Sequence, residues 1–253
     1  MVSIDLNCDM GEGFGAYGIG NDDLVMPYIT SANIACGFHA SDPSTMLKTV
    51  KLAVRHGVAI GAHPSYPDLV GFGRRAMDAT VDEISADVTY QIGALSAFCH
   101  REGVRLHHVK AHGALYNKAA ESHSVAAAIA QAVKMADAEL VMVCLSNSAM
   151  VSAAQEAGIP YVEEVFADRA YTRDGKLVPR SCEGAVLHDP ALVAQRVLEM
   201  VIRKSVTTID GAELPLKAQT ICVHGDTPES FEMIKAIRCK LEANNVMLKA
   251  FER

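Results

Sequence analysis

Short apolar runs recur along the chain at 3–8, 32–36, 58–62, 105–111, 139–145, 161–166 and 219–224, each of strand length. Between them lie longer amphipathic stretches at 42–56, 81–102, 121–135, 148–157, 189–204 and 228–243, whose apolar positions repeat with helical spacing. Alternation of short strands with longer helices is the signature of βα units and a mostly parallel sheet. Seven such strands predict an α/β, TIM-barrel-like (β/α)7 barrel, formed as a single domain over residues 1–253. A doubly wound open sheet is the structural competitor; it too gathers ligands at the C-terminal ends of its strands.

The punctuation supports that reading. Ser41 or Asp42 can cap a helix with Pro43 in its first turn, and Asp189-Pro190 and Thr227-Pro228 repeat the device. Gly57, Gly103 and Gly158 follow helical runs and suit the left-handed conformation that ends a helix, so the αβ connections should be short. Two βα connections are long. One spans 64–80 and holds Asp68, Arg74 and Arg75, the other spans 167–188, and a tight turn is expected at Asp210-Gly211. Long loops at the strand C-termini are what an active-site face looks like in a barrel.

Composition narrows the function classes. At 253 residues and 50% hydrophobic the chain can bury one large core. Its net charge of -7, with no Lys/Arg cluster and 6% aromatics, argues against a nucleic-acid surface. No run approaches the ~18 apolar residues of a membrane span. The opening Met1-Val2-Ser3-Ile4-Asp5 lacks the basic and apolar parts of a secretory signal, so a cytoplasmic protein is expected. Seven Cys with no C-x-x-C pair suggest neither a disulfide framework nor a zinc ribbon, and Cys8, Cys144 and Cys222 sit inside apolar runs as small hydrophobes.

The chemistry concentrates at strand ends. Asp5, Asn7 and Asp9 alternate with Ile4, Leu6 and Cys8, which puts three polar groups on one face of the first strand. Inside a barrel that face could hold a cation or orient water and substrate; an edge strand with one wet face is the plainer alternative. Gly11-Glu12-Gly13-Phe14-Gly15-Ala16 fits a dinucleotide fingerprint only superficially, because the preceding strand is polar and no helix follows. Glu12 becomes a candidate acid on a top loop, and no Walker-type phosphate loop occurs anywhere.

His39 and His63 end successive strands and should stand side by side. Gly37 and Gly61, each two residues before its histidine, would admit a close approach of backbone or ligand. In the fourth strand His108, Lys110 and His112 share a face. Lys110 needs a carboxylate from the first strand or an anionic substrate as partner, and His112, nearer the mouth, suits general acid/base work. Tyr116 and Asn117 could supply substrate hydrogen bonds. Glu164, Asp168 and Arg169 follow in the sixth unit. Asp168 could orient a histidine and Arg169 bind a carboxylate, against a surface ion pair as the plain reading. His224 and Asp226 close the last strand, with Asp226 also placed to cap a helix. Two chemistries stay open: a divalent metal held by Asp9 with histidines from His39, His63 and His112, or a metal-free carboxylate/histidine pair that adds water to a carbonyl.

These residues carry a resemblance. Leu6-Asn7-Cys8-Asp9-Met10-Gly11-Glu12-Gly13, Ala35-Cys36-Gly37-Phe38-His39-Ala40, Gly61-Ala62-His63-Pro64-Ser65-Tyr66 and Val109-Lys110-Ala111-His112-Gly113-Ala114-Leu115-Tyr116 resemble, in order, the motifs of the LamB/YcsF family. Glu164, Phe166-Ala167-Asp168-Arg169-Ala170-Tyr171 and Val223-His224-Gly225-Asp226 continue the match across essentially the whole chain. The resemblance implies a component of the prokaryotic ATP-dependent 5-oxoprolinase, which opens the lactam of 5-oxo-L-proline to L-glutamate with ATP as cosubstrate and with companion B and C subunits. Mg2+ would accompany the ATP. It also implies a barrel of the glycoside hydrolase and polysaccharide deacetylase type. On that reading Asp9, His39, His63, Lys110 and His112 are the catalytic candidates, and Asn7, Glu12, Tyr116, Asn117, Glu164, Asp168, Arg169 and His224 the substrate-binding ones. A stand-alone metal-dependent deacylase and a noncatalytic substrate-binding component are the alternatives. Self-association stays open.

Overall fold

The protein, described as a computed structural model over residues 2–223 and 230–253, is built on a ring of parallel strands. In chain order the elements are β1 (Ser3–Met10), α1 (Asp22–Val25), β2 (Ser31–Ala35), α2 (Pro43–His56), β3 (Ala59–His63), α3 (Val81–Arg101), β4 (His108–Val109), α4 (Gly113–Glu121), α5 (His123–Ala136), β5 (Val141–Leu145), α6 (Ala149–Ala157), β6 (Tyr161–Phe166), α7 (Pro190–Arg203), β7 (Ser205–Thr207), β8 (Glu213–Pro215), β9 (Thr220–Val223), α8 (Ser230–Ala243) and β10 (Met247–Leu248). Strands β1 to β6 pair in sequence order, β6 pairs with β9, and β9 returns to β1, all parallel. That closure makes a seven-stranded barrel and excludes the open sheet. It also overturns the edge-strand alternative for β1, which is paired on both sides with β2 and β9.

The local chemistry acts as its residues dictate. Asp42 caps α2 by accepting from the Ser44 and Thr45 amides, and Asp189 accepts from the Ala191 and Leu192 amides to cap α7. Gly57 and Gly158 end α2 and α6 at φ +66° and +67°. The turn at Asp210-Gly211 joins β7 and β8 into a small antiparallel hairpin outside the barrel. Thr227-Pro228 lies outside the described residues.

Two expectations need correction. The fourth strand, expected over 105–111, pairs only at His108–Val109, and the segment after it is the helix α4 rather than an extended strand mouth. Leu115, Tyr116 and Ala119 are the buried residues of α4, at spacings of one and four; so short a helical pattern directly after a polar strand reads as an extension of it. The helix expected over 121–135 is present as α5, and α4 is an additional helix ahead of it.

The barrel interior is unusually polar. Down its axis, from bottom to mouth, lie Asp5, then Asn7 with Asn33 and His108, then Asp9 with Lys110 and Glu164. Val141, Val143 and Val162 supply an apolar patch inside, against which Phe251 from the C-terminal segment packs. The main apolar core lies between strands and helices, with Leu6, Ile34, Val50, Leu95, Ile129 and Met200 almost wholly buried.

Candidate active site

The functional residues sit where β1 to β4 and β6 meet the upper loops. Period two in β1 turns Asp5, Asn7 and Asp9 inward, while the apolar residues between them face the helices. Asn7 is fully engaged. Its amide donates to Glu164 Oε1 at 2.9 Å and Thr220 Oγ1 at 2.6 Å, and its oxygen accepts from Asn33 at 2.7 Å and Lys110 at 3.2 Å. It ties β1, β2, β4, β6 and β9 together below the pocket.

Lys110 is the central cation. It is 2% exposed, and its Nζ stands 3.1 Å from Asp9 Oδ1 and 2.9 Å from Glu164 Oε1, with the Cys222 thiol also at 2.9 Å. Burial alone would pull its pKa down, but Asp9, Cys222 and Glu164 outweigh it and hold the ammonium well above its ordinary value. Glu164 also accepts from the Tyr116 hydroxyl at 2.7 Å. Burial, followed by that carboxylate, pushes the Tyr116 phenol up and keeps it protonated.

Three histidines pack beside this group. His39 and His112 stack flat at 3.9 Å between centroids, and His63 meets both edge-on. His63 Nδ1 lies 2.7 Å from the Lys110 carbonyl, and His112 Nε2 lies 2.9 Å from the Phe72 carbonyl. The inner nitrogens, His63 Nε2 and His112 Nδ1, face each other at 2.9 Å. His63 Nε2 is also 3.2 Å from Asp9 Oδ2. Glu12 joins the group, 3.7 Å from His39 Nε2 and 3.8 Å from His112 Nδ1. Burial, and then the neighbouring histidines, push the pKa values of His39 and His112 well below the usual imidazole value. The donor set that could grip a metal is therefore Glu12 with His39, His63 and His112. Asp9, expected among those ligands, turns Oδ1 to Lys110 and to the Asn33 amide at 2.9 Å and keeps Oδ2 3.2 Å from His63 Nε2.

The glycines near the site work differently from the expectation. At Gly61 a Cβ would fall 2.1 Å from His108 Nε2, so the space belongs to a fixed neighbouring ring rather than a ligand. Gly37 has nothing within 4 Å, and its φ of +91° marks it as a turn residue. The close approach occurs at Gly73, φ +64°, where a Cβ would meet Ser65, His112 and His39. With Phe72 at φ +54°, this turn lays the upper loop over the histidines. Asp68 anchors the loop through the Gly71 amide at 2.9 Å and the Arg75 guanidinium.

Above lies a cavity of about 440 Å3, lined by Asp9, His63, Lys110, His112, Tyr116 and Asn117 and rimmed by Arg74, Arg169, Lys176 and Arg180. Asp168 and Arg169 are both buried, so the surface ion-pair reading of them does not hold. Arg169 spends hydrogen bonds on the Val178 carbonyl at 2.5 Å and the Ala185 carbonyl at 3.4 Å, which brace its own loop. His224 and Asp226 lie outside the described residues. Phe72, Asn33 and Arg180 were not singled out from the sequence. Asn33 alone left a trace, as a polar residue inside an apolar strand.

A family model described as LamB/YcsF family matches residues 4–253. The chain is 54% identical over 248 residues to the A subunit of 5-oxoprolinase from Acinetobacter baumannii (strain ACICU), covering 98% of both. It superposes on the crystal structure of a lactam utilization protein from Thermus thermophilus with a TM-score of 0.94 and 48% identity, over 99% of this chain and 100% of that one. A T48 deacetylase with substrate, at 14% identity and a TM-score of 0.50 over 98% of this chain and 87% of that one, shares the fold alone.

Proposed function

The chain belongs to the LamB/YcsF family, and from that premise we propose that it acts as the A subunit of a 5-oxoprolinase, opening the lactam of 5-oxo-L-proline to L-glutamate. The observation that carries this reading is the convergence of Asp9, His63, Lys110 and His112 on one cavity, in a chain more than half identical to a protein of that name. A lactam amide is resonance-stabilised, so its hydrolysis needs a polarised carbonyl, a directed water and a proton for the departing nitrogen.

The residues divide those tasks. Asp9, beside Lys110, takes a proton from water as the oxygen attacks the lactam carbon, and passes that proton to the ring nitrogen as the C–N bond breaks. His63 and His112 line the cavity wall with their outer nitrogens on the Lys110 and Phe72 carbonyls, so they would act on the carbonyl oxygen through a cation held on their inner nitrogens. Arg74, Arg169 and Arg180 at the rim provide the positive field for the substrate carboxylate, a task Lys110 cannot share while Asp9 and Glu164 hold it. A metal held by Glu12 and the three histidines would supply further polarisation of the carbonyl. ATP hydrolysis is coupled to ring opening within an assembly that includes companion B and C subunits, with Mg2+ accompanying the nucleotide. In that assembly this chain contributes the hydrolytic pocket formed by Asp9, His63, Lys110 and His112.

Reconstitution tests the reading. Companion subunits with 5-oxoproline and ATP should form glutamate only when this chain is added, and Asp9→Asn or His112→Ala should lower turnover by roughly 10²–10⁴-fold. Glutamate formation that persists without the chain overturns the proposal. Turnover by the chain alone, without ATP, would instead identify a stand-alone deacylase. Full turnover with both variants would leave only a substrate-binding role.

A further inference from the structure

We infer that Glu12, His39, His63 and His112 form a binding site for one divalent transition-metal cation. The argument begins with protons. A backbone carbonyl can only accept, so the contact from His63 Nδ1 to the Lys110 oxygen places a hydrogen on that nitrogen. The contact from His112 Nε2 to the Phe72 oxygen does the same for His112. With one hydrogen per ring, the state that ligation requires, both inner nitrogens present lone pairs to each other at 2.9 Å, with the Asp9 carboxylate 3.2 Å from the His63 nitrogen as well. Two acceptors at that distance repel unless a positive charge lies between or beside them.

His39 supplies an independent observation. Its side chain is fully buried, yet neither ring nitrogen has a hydrogen-bond partner. A buried polar side chain left without a partner is unfavourable, and interiors seldom leave one without a use. Its Nε2 and the inner nitrogen of His112 both approach the same Glu12 oxygen, at 3.7 and 3.8 Å. One ligand atom from each of the four residues lies within 4.8 Å of every other. Tetrahedral donors about 2.0–2.1 Å from a zinc ion stand roughly 3.3 Å apart, close to these separations.

The supporting shell is already built. The two carbonyls that fix the tautomers of His63 and His112 come from the end of β4 and from the loop that covers the cluster, and outer hydrogen bonds of this kind orient imidazoles on metals. Three imidazoles and one carboxylate, with no thiolate, suit Zn2+, Co2+ or Mn2+ and disfavour Mg2+ and Ca2+, which prefer all-oxygen shells. The site is thus distinct in chemistry from any Mg2+ that accompanies ATP.

The test is titration of the EDTA-stripped full chain with ZnCl2, CoCl2 and MgCl2, followed by calorimetry, by the visible spectrum of Co2+ and by thermal unfolding. One equivalent of Zn2+ should bind with micromolar or tighter affinity and raise the unfolding temperature, Co2+ should develop a visible band, and Mg2+ should do neither. Glu12→Gln should weaken Zn2+ at least tenfold. His39→Phe keeps a flat ring on His112 and removes no hydrogen bond, so it should unfold like the stripped parent while losing the Zn2+-induced shift. His123→Ala, outside the cluster, should bind as the parent does. Failure of the folded parent to bind Zn2+ or Co2+ overturns the site, and so does binding left intact by both Glu12→Gln and His39→Phe. Uptake of metal is read separately from glutamate formation, so a metal-loaded chain inactive in reconstitution would remove the lactam reading and leave the site standing.

Discussion

Lys110 governs the electrostatics of the pocket through two carboxylates, Asp9 from β1 and Glu164 from β6. Removal of one partner from a buried ion cluster strands the others, which typically costs about 3–5 kcal/mol. Lys110→Met should therefore lower the urea midpoint sharply at neutral pH as well as abolish turnover; an unchanged midpoint would show that Asp9 and Glu164 are not held as described. Asp5, at the barrel bottom, makes the opposite case. Burial raises its pKa to about 6, against the hydrogen bonds it accepts from Ser31, Thr220 and Thr30. A raised carboxylate pKa means the folded state holds the proton more tightly. Asp5 thus stabilises the fold fully below about pH 4, and that contribution drains away as the pH rises through about 6, a change on the order of 3 kcal/mol. Asp5→Asn cannot ionise, so its stability relative to the parent should improve steadily from pH 4 to pH 7; a flat difference in paired urea titrations would refute the assignment. At this scale the sequence was informative about type and gave one partner, the first-strand carboxylate that meets Lys110, but not the rest. Period two in β1 turns three polar groups inward, but it cannot say that Asn7 meets Glu164 or that Glu12 joins the histidines alongside Asp9. Those meetings cross 157 residues of chain in one case and depend on a loop turn at Gly11 in the other.

At the level of elements, caps and helix ends were legible because each is decided by a few adjacent residues. Asp42, Asp189, Gly57 and Gly158 act where their chemistry places them. The glycines beside the histidines were misread because a glycine records a need for space without saying what fills it. Gly61 and Gly37 now predict contrasting outcomes. Gly61→Ala would drive a methyl group into the His108 ring, which Asn33 holds at 2.8 Å, and should cost at the upper end of about 1–3 kcal/mol. Gly37→Ala meets no atom and should cost only about 1–2 kcal/mol, the strain of a left-handed alanine. His108→Ala in the Gly61→Ala background should recover part of the loss, a coupling that denaturant melts of the double-mutant cycle would measure. If the two glycine variants cost the same, the close approach in β3 is not what restrains that position. Helix α4 escaped notice for a related reason: its buried face is set by Glu164 and the cavity wall, which the local sequence does not contain.

For the whole molecule, closure of the barrel makes the chain's two ends depend on each other. β1 pairs with β9 on one side and, at its start, with β10, so the first strand is held by segments drawn from the last part of the chain. Phe251 continues that segment under the barrel. It packs on Val141, Val143 and Val162 and against the rings of His107 and His108, while Arg253 reaches Asp137 at the start of the β5 region. No cut through this arrangement separates two independent cores, so we propose that residues 1–253 unfold as one cooperative unit. The chain has 7 Tyr and no Trp, so near-ultraviolet dichroism reports tyrosine packing and far-ultraviolet dichroism reports helix content. The two signals should trace coincident urea transitions. Phe251→Ala, half-buried but shared between the terminus and the barrel floor, should shift both midpoints together by about 1–2 kcal/mol. A variant that moved only one signal, or a parent with two separated transitions, would mean that the C-terminal segment and the barrel are separate folding units, and that the ring closed by β1 and β9 does not bind them into one.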